Sequence, residues 1–311
     1  MKRVILIIIG LYLVIGTILV STYKENSKKI NYFTLKQNYS RLMLEEELLV
    51  VSLFIDRDDS FITEKSMIDS ALLRNDESEI AVAITSVKLS DEDIQYKDKS
   101  YYLYTLNIDF TEVYVTNMDL VIEECYLDIL YNNEELISLY IGDVALSFRD
   151  EINSDNLDFV HMTGIVNVID GKKYLVGICL KLDNLTLQTI TINDIYTNSD
   201  LLKFDLNNSF ISNEAIVDNP ASTDLFGEYN HLGDKEEGVI YFDDSYYYVI
   251  PVVYQEMYQK IYRFPLTIEY RLYNQDYKLE IDDYLFFDEF IRLDDYVDEI
   301  REYQYFYPES N

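Results

Sequence analysis

The sequence predicts a mainly β protein with an N-terminal membrane-inserting helix, a two-part antiparallel β-sandwich-like body and a short C-terminal amphipathic helix. Three observations predict it. A charge-free run spans Val4–Val20, short Tyr-, Ile-, Val- and Thr-rich stretches separated by Asn, Asp and Gly recur from about residue 79, and the last 26 residues switch to helical spacing. At 311 residues the chain has room for one large or two ordinary domains, and its 49% hydrophobic content is enough for a core despite a formal charge of −32.

The apolar run holds 17 residues, follows Lys2-Arg3 and precedes Ser21-Thr22-Tyr23-Lys24. As a helix it would reach roughly 26 Å, close to a hydrocarbon core of about 30 Å. A cleavable signal has a shorter apolar region ending in a small-x-small site, which Val20-Ser21-Thr22 lacks. Residues 1–29 therefore read as an uncleaved anchor, partnering the membrane through residues 4–20. Basic residues flank both sides and leave the positive-inside rule undecided. A short tail, one span and one long body is the layout of a single-pass cell-membrane protein with its body outside the cytoplasm.

Residues 30–75 read as a stalk with short helices. Leu35, Leu42 and Leu49 stand seven apart, and Met67, Ile68, Ala71 and Leu72 share one face of a helix over 64–74. Leu48–Ile55 is apolar on both sides, which also suits a buried strand. Residues 76–155 and 156–285 read as two β domains, divided at the polar stretch 149–158. Asp170-Gly171 is the strongest hairpin signal, with Asn132-Asn133 and Asn274-Gln275 as weaker ones. Residues 286–311 read as the amphipathic helix and tail, with Phe286, Phe290, Leu293, Val297 and Ile300 as its stripe.

Charge excludes one class of partner. The 25 basic and 57 acidic side chains divide as five and one in residues 1–29 and as 20 and 56 beyond, so the body carries −36. Such a surface repels nucleic-acid phosphates and anionic lipid headgroups, and no nucleic-acid partner is expected.

The sequence assigns no catalytic, cofactor-binding or metal-ligating residue. His161 and His231 are the only histidines, and neither lies in a motif. Ser21 and Lys24 have S-x-x-K spacing without its companion motifs. Asp56–Asp59 and Asp205–Ser209 are oxygen-rich but lack the glycine and the closing glutamate of a calcium loop. The tyrosine rows at 101–102, 246–248 and 303–307 match half-buried sheet faces as well as sugar platforms. Strand alternation puts Cys125 on a core face with Val121, Leu127 and Ile129, and Cys179 on the opposite face from Ile178, Leu180 and Leu182, so both are expected as free thiols. The expected role is a non-enzymatic accessory or binding one, with a possible protein partner at the cell surface. The alternatives are an acid-pair hydrolase of the cell envelope and a surface that binds cations or cationic peptides.

Overall fold

The computed structural model describes residues 29–110, 117–150, 155–169, 172–198, 202–212, 239–240, 245–254, 263–285 and 298–307. The expected anchor over 4–20, the Asp170-Gly171 turn residues, His231 and the stripe residues Phe286–Val297 lie outside them. Among the described residues no helix is long and apolar enough to cross a membrane.

The body is mainly β. Strands β1 (Lys29–Leu35), β2 (Gln37–Met43), β3 (Leu48–Ile55), β4 (Ile68–Arg74), β5 (Glu79–Tyr96), β6 (Lys99–Asp109), β7 (Asp119–Tyr131) and β8 (Leu136–Phe148) form one continuous ribbon in the order β1-β3-β6-β5-β4-β7-β8-β2. This is the strand order of an immunoglobulin-type sandwich, with β1-β3-β6-β5 as one sheet and β4-β7-β8 as the other. Leu49, Val51, Leu53 and Ile55 of β3 face Leu127 and Ile129 of β7 and Leu139 and Ile141 of β8 in one buried cluster. Alternation supplies that face, since Val50 between them is exposed.

β1 and β2 are separated only by Lys36, yet they lie at opposite ends of the ribbon, so the chain crosses between sheets there. β2 then pairs with β8 in parallel from Gln37↔Gly142 to Met43↔Phe148, a departure from the purely antiparallel body expected. The other half of β8 faces β1, where Thr34 Oγ1 donates to the Tyr140 carbonyl at 2.7 Å. The changeover coincides with a bulge in β7, between Ile122↔Val144 and Cys125↔Gly142. Glu124 takes φ +50° at the bulge, and its N–H is accepted by Asp143 Oδ1 at 2.9 Å.

The second unit comprises β9 (Leu157–Ile169), β10 (Lys172–Asn184), β11 (Ile190–Tyr196), β12 (Leu202–Phe204), β13 (Phe210–Ser212), β14 (Val239–Ile240), β15 (Ser245–Tyr254), β16 (Arg263–Leu272) and β17 (Gln275–Leu285). Its sheets run β9-β10-β15 with β12 and β13 both on β15, and β14-β11-β16-β17, which repeats the same winding order. Ile178, Leu180, Leu182 and Ile250 from the first sheet meet Ile192, Phe264, Leu266 and Ile268 from the second. The last strand, β18 (Ile300–Phe306), returns to the first unit and pairs with β1 from Lys29↔Phe306 to Leu35↔Ile300.

Several expectations are corrected. Residues 30–75 are not a stalk with helices: they supply β1 to β4, with single 3-10 turns at Phe61–Thr63 and Lys65–Met67 in place of the helix over 64–74. Their helical spacing arises from strands cut short by turns, so the first unit begins at residue 29 rather than 76. Ile300, expected on the terminal helix, opens strand β18 instead. Val121 does not share the Cys125 face, because the bulge shifts the phase: Ile122 and Cys125 are both buried while Val121 is 57% exposed.

The hairpins show what turn chemistry decided. Ile169 pairs with Lys172, so β9 and β10 join as an antiparallel hairpin. In the β16–β17 hairpin the turn is Tyr273-Asn274, at φ +52° and +63°, one residue earlier than Asn274-Gln275. Lys97-Asp98 makes an equivalent turn at φ +48° and +60° with no sequence signal.

Gly142 tests the closure of the first unit. It sits at φ +105°, and a Cβ there would lie 2.1 Å from the Gln37 carbonyl oxygen. Gly142→Ala should therefore destabilise the protein by about 2–4 kcal/mol in chemical denaturation, through strain and a displaced β2. A midpoint equal to that of the parent would contradict this closure.

Candidate functional site at the junction of the two units

Polar side chains of both units come together where β2 and the ends of β7 and β8 meet β16 and β17. A cavity of about 160 Å³ is lined there by Asp119, Arg149, Tyr196, Asn198, Lys278 and Glu280, among others. Arg149 follows β8 directly. Its Nε donates to Glu280 Oε1 at 2.8 Å, and its Nη1 lies 3.2 Å from Asp119 Oδ1, so one guanidinium bridges both units. Burial lowers the Arg149 pKa, but the Glu280 and Asp119 carboxylates outweigh it and leave it raised.

Asn198, just past β11, closes the junction a second way. Its Nδ2 donates to the Arg41 and Ala145 carbonyls at 3.0 and 2.8 Å, and its Oδ1 accepts from Ser40 Oγ at 2.5 Å. One amide thus reads both β2 and β8 across their parallel pairing. This explains why Ser40 and Ser147 are tolerated as buried polar residues.

Beside them Lys278 Nζ donates to the Tyr196 hydroxyl at 2.8 Å and lies 2.9 Å from Glu269 Oε1, and Tyr196 in turn donates to Glu269 at 3.1 Å. The hydrogen bond to Tyr196, and next the one to Glu269, raise the Lys278 pKa. Lys278 in return is the main cause lowering that of Glu269. The arrangement is an electrostatic clamp.

The residues singled out from sequence fall elsewhere. His161 is exposed on β9, with Nε2 2.8 Å from Thr163 Oγ1. Asp56 accepts the Asn31 backbone N–H at 3.1 Å and also the Asn31 side-chain amide, fastening β3 to β1. Asp205 caps a 3-10 turn by accepting from the Asn208 N–H at 3.3 Å. Both calcium candidates thus have local structural partners, and among the described residues no three His, Cys, Asp or Glu side chains are grouped to hold a metal. Tyr248 accepts a bond from Ser209, and Tyr303 accepts one from the Tyr140 N–H at 2.7 Å, so both tyrosines are used inside the fold.

The cysteines are both free, as expected, and lie on different faces of their sheets. Cys179, on the face opposite Ile178, Leu180 and Leu182, is nevertheless buried, with Ile165 and Val249 in a small cluster on the far side of β10. That face is covered because β15 and β13 carry apolar groups to it. Sequence reasoning missed Arg149, Asn198, Lys278 and Glu280. The one available signal was a basic side chain at the start of the predicted 149–158 boundary in a chain so poor in basic residues.

No protein-family model matches this chain, and no curated protein matches it. Among solved structures it aligns with "Anomalous substructure of Titin-A168169" at 9% identity, covering 81% of this chain and 97% of that one with a TM-score of 0.16. It aligns with "BspA_C_WT" at 11% identity, covering 81% and 98% with a TM-score of 0.19. Similarity this low carries no argument about fold or function.

Three outcomes test this description. Replacing Asn198 with Ala leaves two backbone carbonyls without their donor and should cost about 2 kcal/mol. It should also split thermal unfolding into two transitions, and a single unshifted transition would show the junction to be incidental. Glu269 has a folded pKa below its unfolded value, so its contribution is present above the unfolded value and is lost as pH falls through the folded one. In Lys278→Met its carboxyl resonance should titrate closer to the ordinary glutamate range, and an unmoved titration would refute the pairing. Burial pushes the Cys125 thiol up to about 12, so neither cysteine should be alkylated at neutral pH before denaturant is added; labelling of native protein at either one would contradict its burial.

Proposed function

We propose that this chain is a single-pass, membrane-tethered protein whose two-unit β body stands outside the cytoplasm and acts as a non-enzymatic binding or accessory subunit. The observation that carries the reading is the short distance between tether and fold. Only eight residues separate Val20, the end of the apolar run, from Lys29, the start of β1. Extended, they span at most about 28 Å. β18 ends beside Lys29, so one end of the first sandwich is held close to the bilayer and the second unit projects from the junction.

The junction chemistry supports a mechanical rather than a catalytic role. Its charged groups are engaged with one another, and the cavity of about 160 Å³ lies below the roughly 300–1,000 Å³ typical of ligand pockets. An acid-pair hydrolase would need a cleft large enough for a glycan between two opposed carboxylates. Sandwiches of this winding serve many unrelated roles, so the winding itself raises only the general expectation of a binding module.

Fractionation and protease accessibility test the placement together. The full chain should sediment with membranes, and protease added outside intact cells should remove the body. Soluble full-length protein with an intact N-terminus would refute the tether, and protection of the body in intact cells would refute its orientation.

A further inference from the structure

We infer that the membrane-proximal end of the first unit binds the phosphate of anionic lipid headgroups, using Lys29 and Lys99. The inference rests on the tether proposed above and adds a contact to it. Four segments converge at this end of the nine-stranded sheet: the start of β1, the end of β3, the β5–β6 hairpin and the end of β18. They border an open depression of about 360 Å³ lined by Lys29, Asn31, Asp56, Lys99 and Ser100.

The hairpin is bent into position rather than left free. The β5–β6 pairing slips between Leu89 and Asp93, and Tyr96 and Tyr101 pack on Phe33, with ring centroids 5.2 and 4.9 Å away. Tyr96 also donates to Glu302 Oε1 at 2.9 Å, and Lys97 pairs with the same carboxylate. That leaves Lys99 on the return strand beside the depression.

The lining favours an anion. Among the described residues neither Lys29 nor Lys99 makes an ion pair, in a chain where acids outnumber bases 57 to 25. The one lining carboxylate, Asp56, already accepts two bonds from Asn31. Arg57 closes the end by donating to the Lys29 carbonyl at 2.8 Å. Phe306 is 60% exposed, with the Lys29 ammonium 5.7 Å from its ring centroid, a lysine and aromatic pair suited to the headgroup layer.

The tether decides the source of the phosphate. Lys29 is the ninth residue after the apolar run, so the depression beside it is held within reach of the bilayer surface, where headgroup phosphate is concentrated. The acidic remainder of the body is repelled by that same surface. Attraction at one end and repulsion elsewhere would stand the molecule upright.

The experiment uses the full chain in vesicles, with Gln304→Cys carrying a fluorophore and a headgroup-spin-labelled lipid as quencher. Quenching should be about threefold or more stronger in phosphatidylcholine–phosphatidylglycerol vesicles than in phosphatidylcholine alone. Lys29→Gln with Lys99→Gln should abolish the difference while near-ultraviolet circular dichroism stays unchanged. Equal quenching in both vesicles, or a difference that survives the double variant, overturns the proposal. So does a thermal shift with inorganic phosphate that needs Lys99 while quenching ignores lipid composition, which would make the site one for free phosphate. Failure to float with either vesicle refutes the tether and this proposal together, whereas flotation with composition-blind quenching refutes this proposal alone.

Discussion

The close approach of β2 to β8 at Gly142 is the constraint on which the rest of the structure depends. A chain that runs β1-Lys36-β2 must leave one sheet and join the other within a single residue, and it can do so only if β8 has a place to receive it. Gly142 provides that place because no side chain fits against the Gln37 backbone, and the bulge at Glu124 re-aims β7 to match. Once β2 is seated, both edges of the first sandwich are spoken for. β1 carries β18 on one side, and β2 offers its outer surface to the second unit.

That second surface explains the polar junction. β2 is short and half-buried, and its Ser40 and Arg41 groups would be stranded against an apolar partner. Asn198 and Arg149 satisfy this edge with bonds that span the two units. Lys278, Glu269, Arg149 and Glu280 each face an opposite charge there.

Acidity and tyrosine content, the two most conspicuous features of the composition, have a common structural outcome. Among the described residues carboxylates lie mainly on exposed faces and in turns, whereas tyrosines fill the half-buried faces beneath them. Tyr131 is 1% exposed and donates to the Ile62 carbonyl at 3.0 Å, while Tyr32 stacks on Tyr303 with centroids 5.3 Å apart. Burial, and then the neighbouring phenols Tyr303 and Tyr305, push the Tyr32 hydroxyl up to about 12. An amphipathic ring with a polar tip lets a chain without tryptophan and with few glycines build two cores while keeping its surface negative.

The sequence by itself determined the β character of the described strands between residues 79 and 285, the β9–β10 hairpin and the opposite faces of the two cysteines. Each of these depends on residues close along the chain: period-two alternation, β-branched and aromatic content, and one glycine-containing turn. Only the tertiary structure decided that residues 29–74 are strands, because their spacing of three, four and seven suits a helix until neighbouring strands supply hydrogen-bond partners. It alone decided that Ile300 begins a strand, since β18 forms by pairing with β1 some 270 residues away. The junction was illegible for the same reason. Arg149 and Glu280 are separated by 131 positions, as are Ser40 and Asn198 by 158, and no local pattern records a contact made only when two folded units meet.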